Sequence, residues 1–125
     1  MKEWDYKEDA PFIPIKLIGF GRESSKLAIV DTGAKYCVLH EAIAEDLKLD
    51  KIGTETMIGF GTKKKFTVNL CIGSVEIGGK IENIQFAVIK EKNYPEEAPK
   101  VVIGRNLLNK FKVTLDGKNR KLYLE

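Results

Sequence analysis

The sequence predicts a mainly-β domain, a barrel or sandwich with one or two short helices. Three observations predict it. Apolar residues alternate with polar ones at period two through much of the chain, turn-forming residues separate these runs, and helical spacing occurs only twice.

Taken in order, Phe12, Ile13, Ile15 and Leu17 suggest a first strand, with Pro11 and Pro14 marking an edge or an entry segment. Lys26 to Val30 is an apolar run that reads as a buried strand, and Tyr36 to Leu39 as another short one. His40 to Leu49 places Ala42, Ile43, Leu47 and Leu49 at helical spacing, enough for about three turns at most. Phe66, Val68, Leu70 and Ile72 alternate with polar partners, as do Ile84, Phe86 and Val88. Between these runs Gly78-Gly79 forms a hairpin turn. Lys90 to Lys100, with Pro95 and Pro99, reads as a solvated connection. Asn106 to Phe111 is spaced for a short helix after Gly104. The sequence then closes on a second hairpin, Phe111, Val113 and Leu115 turning through Asp116-Gly117-Lys118-Asn119 to Leu122 and Leu124.

With 125 residues the chain is expected to be one domain, 1–125, with a modest core. A net charge of +3 is too small to argue for nucleic acid or an anionic membrane as partner. No apolar run is long enough to span a bilayer, and Met1-Lys2-Glu3-Trp4-Asp5 lacks the apolar core of a signal peptide. A cytoplasmic location is therefore expected, with Cys37 and Cys71 as buried reduced thiols. Two cysteines and the single histidine, His40, are too few for a four-ligand zinc site. A Cys37/His40 nucleophile pair is the sharper reading of those residues, but no activating environment is evident. Lys63-Lys64-Lys65 reads as a solvated hairpin arm, with nucleic-acid contact as the alternative.

The segment that carries chemistry is Ala28-Ile29-Val30-Asp31-Thr32-Gly33-Ala34. An apolar strand ends there on a carboxylate, a hydroxyl and a glycine. A carboxylate at the mouth of an apolar strand is costly to ionise unless it is paired or hydrogen-bonded. On its own the triplet is also an ordinary turn, since Asp and Gly are both good turn formers. A weak internal echo accompanies it. Val101-Val102-Ile103-Gly104-Arg105-Asn106 is a second apolar run broken by a small residue and followed by helical spacing, as a duplicated half-domain would be.

Taken together the two stretches resemble the retroviral-type, single-domain aspartic peptidases, the retropepsin-like family, and look closer to its cellular, non-viral members. That family has two apolar residues and Asp-Thr/Ser-Gly, then a glycine-rich hairpin flap, then apolar-apolar-Gly-Arg-Asp/Asn, a short helix and closing strands. Here Met57-Ile58-Gly59-Phe60-Gly61 occupies the flap position, and Val102, Ile103, Gly104, Arg105 and Asn106 the second motif. The similarity covers nearly the whole chain in order and spacing.

The resemblance implies a closed β-barrel that acts as a homodimer, each subunit giving one Asp31. Two such carboxylates share a proton and activate water against a peptide bond, with neither metal nor cofactor. Two carboxylates so close shift each other's titration, so that the pair loses its protons in two separate steps. It implies catalytic roles for Asp31, Thr32 and Gly33. Thr32 would reach the partner's backbone, and Gly33 would let a peptide backbone approach. Substrate contacts would fall to Ala34, Lys35, Ile58, Gly59, Phe60, Gly61 and Ile103, with Val30 among the apolar lining. Gly104, Arg105 and Asn106 would support the site from beneath. Terminal strands Met1 to Asp9 and Leu122 to Glu125 would intertwine at the interface.

Two departures stand out. The residue after Asp-Thr-Gly-Ala is often a further aspartate in viral members, paired with the arginine. Lys35 stands there in this chain, so Arg105 needs another partner, and Lys35 could attract acidic substrate groups or lower the apparent pKa values of the carboxylate pair. The segment His40 to Asp50 is also longer than in compact viral enzymes. Two other functions remain open: a dimeric peptide- or protein-binding module with little or no hydrolysis on the same fold, and a monomeric barrel for a small ligand.

Overall fold

The computed structural model describes residues 1–58 and 64–125. Among the described residues there are ten strands: β1 (Lys2–Asp5), β2 (Phe12–Ile18), β3 (Glu23–Val30), β4 (Cys37–His40), β5 (Asp50–Ile58), β6 (Lys65–Ile77), β7 (Lys80–Ile89), β8 (Val101–Ile103), β9 (Val113–Asp116) and β10 (Lys121–Leu124). Two short helices, α1 (Glu41–Asp46) and α2 (Arg105–Leu108), follow β4 and β8.

Six strands close a barrel in the order β2-β3-β8-β4-β7-β6, completed by pairing of β6 back onto β2. Closure removes the free edges that an open sheet would leave. The thirteen residues of β6 make this possible, because its end pairs with β2 at Ser74–Glu76 while its first half pairs with β5. Period-two burial along β2 sends Ile13, Ile15 and Leu17 inward. They meet Ala28, Leu39, Phe86, Ile103 and Leu107 in one central cluster. The hairpin between β6 and β7 turns on Gly78 and Gly79 at φ of +58° and +84°, conformations that glycine adopts without a Cβ clash.

The closing hairpin β9–β10 forms where the sequence signals it, and β1 adds to its other side to give a separate sheet in the order β1-β10-β9. Leu122 and Leu124 drop from this sheet into the central cluster, with Trp4 packed beside them. The terminal strands β1 and β10 therefore pair with each other within the chain.

Three strands have no clear signal in the sequence. β5 carries Thr54, Glu55 and Thr56 in its middle, and β1 is mostly charged, so neither shows apolar alternation. β8 is too short for a period to register. Both helices are shorter than their spacing suggests. The His40 imidazole caps α1 by accepting the Ala42 N–H at 3.0 Å, and the helix ends where Lys48 turns to a φ of +53° and sends Leu49 back toward the core. Among the described residues no helix is long and apolar enough to cross a membrane. Cys37 and Cys71 are free and buried.

Candidate active site

The barrel places Asp31 through one unusual crossing. β8 runs parallel to β3, with Val30 beside Ile103, and antiparallel to β4, with Val38 beside Val102. It thus lies between two strands that are neighbours in sequence. The chain between β3 and β4, residues 31–36, has to cross over the end of β8, above the point where Gly104 opens α2.

Hydrogen bonds from this second segment hold the crossing in place. The Asp31 N–H donates to the Ile103 carbonyl at 2.9 Å, which continues the ladder to the end of β3. The Arg105 and Asn106 N–H groups donate to the carbonyls of Ala34 (2.8 Å) and Lys35 (3.2 Å). The guanidinium of Arg105 donates through Nη1 to the Thr32 carbonyl at 3.0 Å. Arg105 therefore finds its partner in loop backbone rather than in a carboxylate. Asn106 joins three segments: Oδ1 accepts the Cys37 N–H at 2.8 Å, and Nδ2 donates to the Gln85 carbonyl on β7 at 2.7 Å.

Gly104 is required by space rather than by conformation. A Cβ there would sit 2.3 Å from the Tyr36 carbonyl oxygen and 2.9 Å from that of Ala34. Its N–H points to Cys37 Sγ at 3.4 Å. Burial pushes the Cys37 thiol up to about 11, so it stays neutral and acts as packing and a weak acceptor beneath the loop.

The carboxylate of Asp31 is exposed at the surface of the single chain. Its Oδ1 accepts the Gly33 N–H at 2.9 Å, which fixes the orientation of the group. A Cβ on Gly33 would lie 3.2 Å from that oxygen, so the glycine keeps the carboxylate approachable. The arrangement presents a rigidly held, solvent-facing carboxylate on a floor of small residues, suited to accepting a proton from water or giving one up.

Of the other residues singled out in the sequence, Thr32 is exposed and Ala34 half-buried on the same loop. Lys35 is exposed, and its ammonium lies 3.8 Å from Glu55 on β5. Glu55 thereby offsets the charge that Lys35 would bring to Asp31, and its hydrogen bond to the neighbouring Tyr36 hydroxyl raises that phenol above its ordinary range. Ile58 is 62% exposed at the end of β5, while Gly59, Phe60 and Gly61 lie outside the described residues. Ile103 and Val30, expected to line apolar pockets, are 0% and 5% exposed. Their side chains pack the core, and Ile103 serves the loop through its backbone carbonyl.

Sequence reasoning missed Glu55, Tyr36, Cys37 and Gln85 as parts of this neighbourhood. Gln85 acts through a main-chain carbonyl, for which a sequence carries no signal. Among the described residues no group of three or more His, Cys, Asp or Glu gathers as a metal site.

Comparison with known proteins bears on the family and the fold. The profile of the family described as aspartyl protease matches residues 18–119. No curated protein matches by sequence. Solved structures with a similar fold include a retropepsin-like aspartic protease from Rickettsia conorii. It has 21% identity and a TM-score of 0.69, over 98% of this chain and 88% of that one. The EIAV protease complexed with the inhibitor HBY-793 has 19% identity and a TM-score of 0.63, over 82% and 88% of the two chains. The retroviral protease-like domain of Ddi1 from Leishmania major has 19% identity and a TM-score of 0.60, over 95% and 90%. At these identities the structural likenesses speak for the fold, and the profile match for the family. This chain belongs to the aspartyl protease family and has its retropepsin-like fold.

Proposed function

We propose that the protein is an aspartic endopeptidase that works as a homodimer, with one Asp31 from each subunit. The observation that carries this reading is the exposed Asp31 carboxylate, oriented by the Gly33 N–H on a loop held by Ile103, Arg105 and Asn106. One chain offers a single such carboxylate, so a symmetric pair requires two chains. Brought together on a two-fold axis, the carboxylates hold one proton between them, because two adjacent negative charges are costly. The ionised member takes a proton from water as it attacks the peptide carbonyl, and the protonated member donates to the substrate. The tetrahedral intermediate then collapses with proton transfer to the leaving amine, with no acyl-enzyme.

In this reading the Thr32 hydroxyl braces the partner loop, and Gly33 and Ala34 admit the substrate backbone. Lys35 and Ile58, with Gly59, Phe60 and Gly61, meet the bound peptide. Gly104, Arg105 and Asn106 keep the loop from yielding.

The test is cleavage of a mixed set of unstructured peptides from acidic to neutral pH, read by mass spectrometry beside Asp31→Asn. Cleavage should follow a bell-shaped pH profile and vanish in the variant. Equal cleavage by both proteins would discard Asp31 as the catalytic group. No cleavage by either, at a concentration where a dimer is measured, would leave a binding module on the same fold.

A further inference from the structure

The sheet β1-β10-β9 has an edge on either side, and the two differ in character. The β1 edge carries Lys2, Glu3 and Asp5, charges that deter a further strand from adding on. β9 pairs with β10 alone among the described residues, and Val113-Thr114-Leu115 on its other edge holds neither charge nor proline. The direction of its backbone groups follows from the pair just before the strand. Lys112 exchanges two hydrogen bonds with Glu125, at 2.9 and 3.0 Å. Alternate residues turn the same way, so Thr114 and Asp116 also bond toward β10. The N–H and C=O groups of Val113 and Leu115 therefore point outward from the sheet.

Apolar cover stops at the same edge. Leu122 and Leu124 are 0% and 3% exposed, but Leu115, which pairs with Leu122, is 41% exposed. The opposite face carries Lys112, Thr114 and Asp116, a cation, a neutral residue and an anion in order. Lys112 lies 3.8 Å from Glu125 in its own chain, an exposed contact that leaves the ammonium able to turn to another carboxylate. Hydrogen bonds from Asn119 to both oxygens hold the Asp116 carboxyl below its ordinary range, so it is ionised at neutral pH.

A strand of this pattern complements its own reverse. Laid antiparallel on a second copy with Thr114 at the centre, Val113 of each chain exchanges both backbone bonds with Leu115 of the other. Leu115 is then covered by Val113, and Lys112 stands opposite Asp116 at either end. We propose that the outer edge of β9 is the surface on which two copies of this chain associate, their sheets running on as one. A second copy fits better than an unrelated strand, because reversal matches charge with opposite charge and apolar with apolar. Two identical antiparallel strands generate a two-fold axis, the symmetry that a pair of Asp31 loops needs. The proposal thus rests on the homodimer reading and names its surface.

The test is sedimentation of the purified chain from low to high micromolar concentration. The wild type should pass from monomer to dimer as concentration rises. Thr114→Lys sets two ammonium groups face to face on the axis and should weaken association at least about tenfold, and Thr114→Glu should do the same. An equimolar mixture of the two variants should recover association as a heterodimer, since the axis then carries opposite charges. Thr114 is exposed, and circular dichroism checks that both variants remain folded. Undiminished dimers in both variants, or a mixture no better associated than its components, would overturn the β9 surface and leave the homodimer reading standing. A wild type that stays monomeric throughout would overturn both. None of these readouts uses cleavage, so failure of the peptidase reading is seen separately.

Discussion

Replacing Asn106 by alanine removes the side chain that joins the Asp31 crossing to β7. Two hydrogen bonds disappear, the 2.8 Å bond from the Cys37 N–H and the 2.7 Å bond to the Gln85 carbonyl. Their partners do not suffer equally. Cys37 is 0% exposed, so its N–H is stranded away from water, whereas Gln85 is an exposed residue whose carbonyl is better placed to be hydrated. A stranded buried donor costs about 1–3 kcal/mol and a bond exchanged for water about 1 kcal/mol, giving a total of about 3 kcal/mol. For a domain of this size that lowers the melting temperature by about 10 °C. Urea unfolding followed by the fluorescence of Trp4, the single tryptophan, measures it. Asn106→Asp sharpens the test, because it keeps an acceptor for Cys37 but turns a second oxygen toward the Gln85 carbonyl. Its deficit should shrink as pH falls below the ordinary carboxylate range, where the protonated carboxyl donates to that carbonyl. A loss below about 1 kcal/mol in Asn106→Ala, or a pH-independent deficit in Asn106→Asp, would refute the argument that this side chain holds the crossing.

Gly104→Ala should destabilise by at least about 3 kcal/mol in the same assay, since its Cβ meets the Tyr36 carbonyl oxygen at 2.3 Å; a near-neutral result would mean the loop yields easily. Native Cys37 should resist alkylation at mildly alkaline pH and react fully once the chain is unfolded. Its thiol is raised from 9.0 to about 11 by burial, so the native state keeps a proton that the unfolded state loses. Stability from this group is thus present below about pH 9 and declines as pH rises toward 11, a trend that Cys37→Ala should flatten. Because the proposed dimer forms only from folded chains, the melting temperature and the specific activity should both fall on dilution as the dimer separates. A melting temperature and specific activity that both stay constant over a wide concentration range would count against a dissociating dimer.

Much of the architecture was legible where local chemistry and burial agree. The alternation in Phe12 to Leu17 and in Phe66 to Ile72, and the turns at Gly78-Gly79 and Asp116 to Asn119, each specify an element through nearby residues alone. β5 was not legible, because Thr54, Glu55 and Thr56 show no apolar alternation and owe their strand geometry to β6 alongside. Helix lengths misled for the same reason. Leu47 and Leu49 reach the core from an ending turn rather than from a continuing helix.

By itself, the sequence determined the motif residues, their order and their family, because Asp31-Thr32-Gly33 and Ile103-Gly104-Arg105-Asn106 are readable as types at fixed positions. How those two stretches, more than seventy residues apart, become one site depends on the packing of the barrel. β8 slots between β3 and β4, and the Ile103 carbonyl, the Arg105 guanidinium and the Asn106 amide then meet backbone groups of the loop or beside it. The structure also assigned Ile103 to the core, joined Lys35 to Glu55, and closed the terminal strands on each other. The physical reason is common to all of these. Their partners are main-chain atoms or residues distant in sequence, brought within bonding distance only when barrel closure fixes the register of every strand.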